Sequence, residues 1–259
     1  MLLYISLALL YTAVTADLQC TLIPGTLTQL DAGSGQVYGV NAEGGIFHWV
    51  DEEWVQVPGG LIHVTVGPAG VWGVNAANYI YKIQDNTWVQ VSGLLKQIDA
   101  GGEQFIAGVN SGDAIYCVDQ AGTTSRETGL PWINIAGGLK YYSCGPIGCW
   151  GVNSANQIFY RYSVSPTECQ GSQWTEVEGS LTMIEVGIDG SVYGVAADGK
   201  VFRRDGICPN TPTGTTWTQL DTCGSFKHVS YDSGYLWLIT LKGQIVRCAV
   251  PESTAANLL

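Results

Sequence analysis

The chain has 259 residues and a formal net charge of −11, with 11 Lys and Arg against 22 Asp and Glu. This acidic balance argues against a nucleic-acid-binding protein, which needs clustered positive charge to displace counterions from phosphates. The 34 Gly, 9 Trp and 13 Tyr, with only 13% charged residues, favour short strands joined by tight turns over long helices.

The first segment in chain order, residues 2–16, reads LLYISLALLYTAVTA and is apolar with small residues at its end. This pattern is typical of a secretory signal peptide, and it predicts cleavage after Ala16, with Val14 and Ala16 in the small-residue positions. A buried first strand is the alternative interpretation. The run is shorter than the ~20 residues of a membrane span, so an anchor is disfavoured. We therefore expect a secreted protein without a membrane span.

Six copies of one unit follow the predicted signal peptide. Each copy places a Trp before a Gly-x-Leu segment, which is followed by an apolar run, a Gly-Val-Asn triplet and an Ile-aromatic pair. The leading residues of the copies are Cys20, Trp54, Trp88, Trp132, Trp174 and Trp217. The last two copies replace the triplet by Gly-Val-Ala and Leu-Ile-Thr. A repeat of this length built from short runs is typical of a solenoid or a propeller.

Each copy contains four short runs bounded by Gly, Pro, Asn or Asp; in the second copy they cover 54–57, 61–66, 70–74 and 79–82. Such runs predict a four-stranded antiparallel meander. One meander cannot bury both of its faces, whereas six arranged radially can. We therefore predict an all-β, six-bladed β-propeller made of four-stranded antiparallel blades.

The chain ends favour a closed ring over a solenoid. The Trp-headed run precedes the inner strand of its own copy, so it most naturally completes the blade before it. The last blade, residues 226–247, then lacks an outer strand, which the N-terminal residues 18–23 can supply. The predicted organisation is a signal peptide at 1–16, a single propeller at 17–250 and a C-terminal tail at 251–259.

All eight Cys follow the predicted signal peptide, which indicates an oxidising compartment and up to four disulfides. Pairing of Cys20 with Cys248 would close the ring covalently and remove unfolded-state entropy. The remaining pairs are inferred from placement and elimination, and they are Cys144–Cys149 within one hairpin, Cys117–Cys169 and Cys208–Cys223.

The pattern W-x-x-[VI]-x-G-x-L-x-x-[IV] followed by G-V-N-x-x-x-x-[IV]-[FY] resembles the repeat of the tectonin family. Together with the signal peptide, the eight Cys and the six copies, it is similar to the fish egg lectins of that family over residues 18–250. The resemblance implies a propeller that binds N-acetylglucosamine and related sugars, including those of bacterial lipopolysaccharide, in eggs or innate defence.

Two kinds of repeated residue are candidates for sugar binding. The amides at the end of the second strand either cap the following turn or reach a sugar hydroxyl, and capping is the favoured role. They are Asn41, Asn75, Asn110 and Asn153, with Ala196 and Thr240 in the last two copies. The five repeated Trp residues that lead copies two to six either stack on sugar rings or pack between blades, and packing is favoured. Trp72 and Trp150 belong to a second aromatic column with the same alternatives.

A third column on the inner strands alternates between acids and hydroxyls. Its members are Asp31, Thr65, Asp99, Ser143, Glu185 and Ser230. Facing a central channel, Asp31, Asp99 and Glu185 could attract a cation such as Ca²⁺, although solvated channel lining is the favoured interpretation. No cofactor is otherwise expected.

Catalysis has little support in the sequence. The three His are His48, His63 and His228, and neither G-x-S-x-G nor H-E-x-x-H occurs. We therefore predict a secreted, non-catalytic lectin for the glycans of microbial or egg surfaces, with a homodimer as one assembly state. The alternatives are a secreted propeller scaffold that binds proteins and has no sugar site, and a propeller hydrolase.

Overall fold

The structure, a computed structural model, describes residues 18–251. The predicted signal peptide, and all of the predicted tail except Pro251, lie outside the described residues. Within the described range, 24 strands form six four-stranded sheets. These sheets are the blades of an all-β propeller, which confirms the predicted fold class.

Strand β1 (Gln19–Thr26) begins the described chain and belongs to the last blade. Blade one contains β2 (Gln29–Gly33), β3 (Gln36–Val40), β4 (Ile46–Val50) and β5 (Glu53–Val57). Blade two contains β6 (His63–Gly67), β7 (Gly70–Val74), β8 (Tyr79–Gln84) and β9 (Thr87–Leu94). Blade three contains β10 (Gln97–Asp99), β11 (Ile106–Val109), β12 (Ile115–Val118), the short helix α1 (Gln120–Thr124) and β13 (Ile133–Ile135).

Blade four contains β14 (Tyr141–Gly145), β15 (Gly148–Val152), β16 (Ile158–Arg161) and β17 (Trp174–Val177). Blade five contains β18 (Met183–Val186), β19 (Val192–Val195), β20 (Val201–Asp205) and β21 (Thr216–Gln219). Blade six contains β22 (Phe226–Asp232), β23 (Tyr235–Thr240) and β24 (Gln244–Ala249), with β1 as its fourth strand. The described part of the chain holds no helix long and apolar enough to cross a membrane.

Each blade is an antiparallel meander, and in blades one to five the outer strand comes from a Trp-headed run, as predicted. In blade one, Trp54 of β5 lies opposite Trp49 of β4, so this Trp completes the blade before its own repeat copy. In blade six, β1 pairs with β24 and places Cys20 opposite Cys248. The N-terminal strand therefore closes the ring.

Burial decreases from the axis of the ring outwards. Every residue of β2, β6 and β18 is buried, because each innermost strand has a neighbouring blade on both faces. Most residues of β1, an outer strand, are exposed. The apolar core is divided among the blade interfaces; one cluster joins Trp72 and Ile80 of blade two to Ile98 and Ile106 of blade three. Blade-to-blade contact thus supplies most of the hydrophobic stabilisation.

Three of the predicted disulfides are present: Cys20–Cys248, Cys117–Cys169 and Cys144–Cys149. The Cys117–Cys169 bond ties the loop before β17 to the third strand of blade three. The first and third bonds link residues that lie directly opposite each other in the β1–β24 and β14–β15 pairs.

The predicted Cys208–Cys223 bond is wrong, because both residues are exposed and free. Cys208 lies beyond the end of the sheet where Asp205 pairs with Thr216, whereas Cys223 lies beyond the opposite end, past Gln219. A strand rises about 3.3 Å per residue, so β21 separates them by more than about 10 Å. A disulfide needs Cα atoms about 4.4–6.8 Å apart. Proximity in sequence was a poor guide here, because the two Cys flank a whole strand.

Titration of the native protein with a thiol reagent tests this correction. We expect two accessible thiols per chain, because Cys208 and Cys223 are both exposed. Replacing both by Ser should reduce the count to zero without changing the melting temperature. A count of zero in the unaltered protein would contradict the structure and restore the fourth bond.

Ring closure predicts a second measurable effect. Removing the Cys20–Cys248 bond, whose residues are 228 apart in sequence, frees a far longer loop than removing Cys144–Cys149, which are 5 apart. The loop-entropy relation gives losses of about 5 and about 2 kcal/mol, respectively. Denaturant unfolding of the two double-Ser variants should show this order, and equal losses would argue against entropic ring closure.

Candidate functional site

Three of the five repeated Trp residues form hydrogen-bonded latches between neighbouring blades, whereas the buried indole Nε1 of Trp54 and that of Trp88 have no hydrogen-bond partner among the described residues. The indole Nε1 of Trp132 donates a hydrogen bond to the carbonyl of Ser92, 2.7 Å away, at the end of the preceding blade's outer strand. Trp174 and Trp217 donate to the equivalent carbonyls of Ala136 and Glu178 at 2.7 and 2.8 Å. These Trp residues are half-buried. The structure thus supports the packing role, with part of each indole left open.

A glycine beneath each indole makes this close approach feasible. Gly93 has φ +105°, and a Cβ added there would lie 2.6 Å from Trp132 Nε1. Glycine is the residue that adopts this backbone conformation readily, and its missing side chain leaves room for the ring. The Gly of the Gly-x-Leu segment is therefore required by both the turn and the indole.

Two clefts open beside these latches, at equivalent positions of the repeat. The blade 2/3 cleft, about 300 Å³, is lined by Gly93, Leu94, Leu95, Asn110, Tyr116 and Trp132. The blade 4/5 cleft, about 140 Å³, is lined by Ile158, Gly179, Ser180, Leu181, Phe202 and Trp217. Each combines the Gly-x-Leu segment of one blade with the third-strand aromatic residue and the Trp of the next. Both are mainly apolar recesses with an aromatic wall.

The four predicted Asn residues cap turns. Asn110 Oδ1 accepts hydrogen bonds from the backbone N–H groups of Gly112 and Ala114, both at 2.9 Å. The other three Asn residues accept from backbone N–H groups in the equivalent turns, at 2.7–3.0 Å. The favoured capping role is therefore present in every copy that has the Asn.

The hydrogen bonds of the amide nitrogen, Nδ2, differ among these Asn residues. Asn75 Nδ2 donates to the Tyr81 hydroxyl, and Asn153 Nδ2 donates to Gln157 Oε1. Asn110 Nδ2 has no hydrogen-bond partner among the described residues, and Asn110 lines the blade 2/3 cleft. Of the predicted amides, Asn110 is the one that the structure places in a described cleft with a donor to spare.

Trp72 and Trp150 do not support the predicted sugar contact. Each indole is only 2% exposed. Trp72 Nε1 donates to the carbonyl of Ala69, and Trp150 packs edge-on against Tyr160 and Trp217. Their second-strand position points them into the interface between blades, so their rings have no free face.

The alternating inner-strand column joins successive blades by hydrogen bonds. Asp31 Oδ2 of blade one accepts from Thr65 Oγ1 and Val66 N of blade two, at 2.8 and 2.7 Å. Thr65 Oγ1 in turn accepts from Ala100 N of blade three at 2.9 Å. The hydroxyl residues therefore both donate to an acid and accept from the next blade's backbone.

The same rule joins blades three, four and five, and it joins blade six to blade one. Asp99 accepts from Ser143 Oγ and Cys144 N, and Ser143 Oγ accepts from Val186 N of blade five. Ser230 of blade six donates to Asp31 Oδ1 at 2.9 Å and accepts from the backbone N of Ala32. The alternation of acids and hydroxyls in the sequence is thus an alternation of acceptors and donors.

The three acids are buried, and burial dominates their titration. It raises the pKa of Asp99 to about 8, with a further increase from the charge of Asp31. Burial and the charges of Asp31 and Asp99 raise the pKa of Glu185 well above its usual value. The pKa of Asp31 is also raised by burial, despite its hydrogen bonds to Val66 and Thr65.

The predicted cation site does not fit this arrangement. Within residues 18–251, no group of three or more His, Cys, Asp or Glu side chains is arranged to hold a metal ion. The carboxylate oxygens of Asp31 and Asp99 are instead engaged by hydroxyl and backbone N–H donors of neighbouring blades. Their role in the structure is to join blades.

Two of the three His residues, His63 and His228, are buried inside the ring. Burial lowers the pKa of His63 to about 3 and that of His228 to about 4, so both are neutral near pH 7. The Nε2 of His228 bonds to the carbonyl of Leu30, 2.6 Å away, and His48 stacks on Tyr38. Among the described residues, none of the three is hydrogen-bonded to a Ser or Cys nucleophile.

Sequence reasoning missed the residues that form the walls of the two clefts. Tyr116 and Phe202 belong to the repeated pair at the start of the third strand, which the sequence pattern alone does not mark as a ligand contact. The sequence does contain a signal for these two residues, because an aromatic residue recurs at the start of the third strand in the same copies as the Trp. In the structure Tyr116 and Phe202 are only partly buried. Leu94 and Ser180 fill the variable place of the Gly-x-Leu segment and were missed because that place shows no pattern.

Comparisons with known proteins agree with this geometry. Residues 26–241 match the Tectonin domain family, and the chain belongs to that family. It is 51% identical to the Fish-egg lectin of Cyprinus carpio over 238 residues, which cover 91% of this chain and all of that protein. It is 26% identical over 61 residues to Tectonin beta-propeller repeat-containing protein 1 of Mus musculus, covering 24% of this chain and 5% of that protein.

Solved structures share the fold at low sequence identity. A structure titled YCF48 bound to D1 peptide has a TM-score of 0.55 and 16% identity, covering 93% of this chain and 97% of its own. The RRP9 WD40 repeats have a TM-score of 0.58 and 9% identity, covering 90% and 99%. These likenesses concern the propeller architecture alone.

The raised pKa of Asp99 predicts a pH dependence of stability. Because the folded-state pKa, about 8, exceeds the unfolded value, the contribution of Asp99 is full below pH 4 and is lost as pH rises through 8. The melting temperature should therefore fall between pH 5 and pH 9, and Asp99→Asn should flatten this decline.

The matched control is Asp198→Asn. Asp198 is exposed, and hydrogen bonds from Lys200 lower its pKa, so it does not titrate in this range. The control should reproduce the unaltered pH profile. An unchanged slope in Asp99→Asn would show that Asp99 does not carry a raised pKa in the folded protein.

Proposed function

We propose that this protein is a secreted, non-catalytic lectin that binds N-acetylglucosamine-type saccharides in the blade 2/3 and blade 4/5 clefts. The observation that carries the proposal is the recurrence of one cleft at two equivalent places, built from the same repeat positions. A ligand-binding repeat is expected to reproduce its binding surface, whereas accidental surface recesses have no reason to recur.

The cleft walls suit the chemistry of an N-acetylated sugar. Such a sugar has an apolar C–H face and an acetamido methyl, which can pack on an aromatic ring and an aliphatic side chain. Tyr116 and Trp132 offer the aromatic surface, and Leu94 and Leu95 the aliphatic one. Asn110 Nδ2 is placed to donate to a hydroxyl or to the acetamido carbonyl, while its Oδ1 remains in the turn.

The two clefts differ in ways that predict unequal affinity. The blade 4/5 cleft is smaller, has Phe202 in place of Tyr116, and has Ala196 at the repeat position of Asn110. It therefore lacks both the amide donor and the phenol hydroxyl. We expect the blade 2/3 cleft to bind more tightly.

The proposed extracellular location and targets rest on a related protein and on the disulfide bonds. The 51% identical protein of Cyprinus carpio is named a fish-egg lectin. The disulfides and the predicted signal peptide favour an extracellular location. Two weak sites on one rigid ring gain avidity on a repetitive surface. Microbial lipopolysaccharide and egg-surface glycans are such surfaces, so we propose them as targets, with homodimerisation as a further source of valency.

Tryptophan fluorescence tests the proposal, because Trp132 and Trp217 each line a cleft. Titration with N-acetylglucosamine should give a saturable change, and galactose a weaker one. Trp132→Phe should remove most of the fluorescence change that comes from the tighter-binding blade 2/3 cleft. Trp217→Phe should remove the change that comes from the weaker blade 4/5 cleft. Trp174→Phe is the matched control, because Trp174 has the same repeat position but lines neither cleft. Absence of a saturable response to both sugars would favour the protein-binding scaffold.

Asn110→Asp isolates the amide donor. The carboxylate retains the oxygen that caps the turn but cannot donate from the second atom. Loss of one hydrogen bond costs about 1 kcal/mol, so affinity in the blade 2/3 cleft should fall about fivefold. Asn41→Asp is the control, because Asn41 caps its turn in the same way outside both clefts. Equal affinity in both variants would remove Asn110 from the site.

A further inference from the structure

The largest of the described cavities lies away from the two clefts, at the junction of blades five and six. Its volume is about 550 Å³, within the range of about 300–1,000 Å³ typical of ligand pockets. Its walls come from three blades: Ile147 from the β14–β15 turn, Asp189 to Ser191 from the β18–β19 turn, and Tyr231 and Gly234 from blade six. We name it the blade 5/6 cavity.

This cavity opens on the opposite face of the ring from the Asn turns. Turns between first and second strands, such as β18–β19, lie at one end of each blade, and turns between second and third strands lie at the other. The Asn110 turn joins β11 to β12 and belongs to the second kind. The blade 5/6 cavity is therefore separate from the clefts of the proposed function.

A pair of tyrosines forms one wall of the cavity. The rings of Tyr193 and Tyr231 lie 4.9 Å apart with an interplanar angle of 36°. Burial raises the pKa of both phenols, so both stay protonated and can donate hydrogen bonds at neutral pH. Aromatic surface with polar ends suits a ligand that has both apolar faces and hydroxyls.

An arginine on a neighbouring wall is held in position with donors to spare. Arg203 Nε donates to Asp205 Oδ1 at 2.7 Å, and Thr218 donates to the other oxygen of Asp205. The terminal Nη groups of Arg203 have no hydrogen-bond partner among the described residues. The guanidinium is thus oriented by one nitrogen while the remaining donors face no competing acceptor.

The acceptors of the cavity define the ligand class. Asp189 and Asp205 line it together with Arg203 and Arg204, so its charged groups balance. Arg203 is paired with Asp205 and Arg204 with Glu178, which leaves no uncompensated positive charge for an anionic ligand. A neutral polyol fits such a lining, because its vicinal hydroxyls donate to a carboxylate and accept from a guanidinium at once. Aromatic wall, donors and acceptors together match a neutral pyranose.

We propose that the blade 5/6 cavity is an additional binding site for a neutral saccharide, on the opposite face of the ring from the two clefts. It extends the lectin function proposed above, although its residues are independent of the clefts. A single ring that binds saccharides on both faces can bridge two glycan-bearing surfaces without dimerising.

Two readouts separate this site from the clefts. Both clefts contain Trp, whereas the blade 5/6 cavity is lined by Tyr and has no Trp. Titration calorimetry counts all sites, while tryptophan fluorescence reports the clefts. The probes are N-acetylglucosamine, galactose, mannose, chitobiose and lactose, with glucuronic acid as the anionic comparator. For at least one neutral probe we expect the calorimetric stoichiometry to exceed the fluorescence stoichiometry by one.

Arg203→Met should weaken the additional site at least tenfold and leave the fluorescence isotherm unchanged. Arg126→Met is the matched control, because Arg126 also pairs with an aspartate, Asp85, but lies outside the cavity. Three outcomes would each overturn the proposal. They are equal calorimetric and fluorescence stoichiometries for every neutral probe, an additional site whose affinity Arg203→Met does not change, and binding of glucuronic acid alone. An Arg203-dependent calorimetric site without any fluorescence response would support the cavity and refute the clefts.

Discussion

The propeller depends on a circuit of buried hydrogen bonds between the innermost strands, which among the described residues joins every neighbouring pair of blades except five and six. These strands have no exposed face, so any polar side chain placed there must find its partner on the next blade. Asp31 and Thr65 show the solution, in which an acid accepts and a hydroxyl both donates and accepts. Each bond crosses from one sheet to another, and thus fixes the rotation between blades that hydrophobic contact alone would leave loosely defined.

A second set of side-chain hydrogen bonds also joins the innermost strands of neighbouring blades. The side-chain amide of Gln29 both donates to and accepts from the backbone of Val64, and Gln97 does the same with Tyr142. Two-point amide pairs specify both distance and register between blades. The polar groups at the axis are thus engaged within the protein, whereas at the rim Asn110 caps a turn with Oδ1 and has no partner for Nδ2 among the described residues.

Much of this architecture is predictable from the sequence, because it repeats. The period gives the blade number, the order of runs gives the one-strand offset, and the missing last strand gives ring closure and the Cys20–Cys248 bond. The prediction of a Cys208–Cys223 bond failed because it used adjacency along the chain where strand direction decides. Cys208 and Cys223 are close in sequence and lie at opposite ends of a sheet. Trp72 is at a repeated aromatic position but faces a neighbouring blade. Cavities depend on side chains from several blades, and a single repeat copy does not show them.

Glu185 is the exception in this column, and it lies at the same junction as the blade 5/6 cavity. It stands where Asp31 and Asp99 stand, but it accepts no hydrogen bond from the backbone of blade six among the described residues. Its longer side chain instead brings the carboxyl against Asp31 and the hydroxyl of Tyr141 across the axis. The link from blade five to blade six is therefore the one that this column leaves unmade in the described structure. The blade 5/6 cavity lies at the same junction, with Tyr193 and Tyr231 together forming one of its walls. Where the inner column makes no hydrogen bond, blades five and six are held by apolar contacts, such as those that join Met183 and Tyr193 to Phe226 and Val229. The cavity therefore opens at the rim of a junction that is fixed by packing rather than by the polar column.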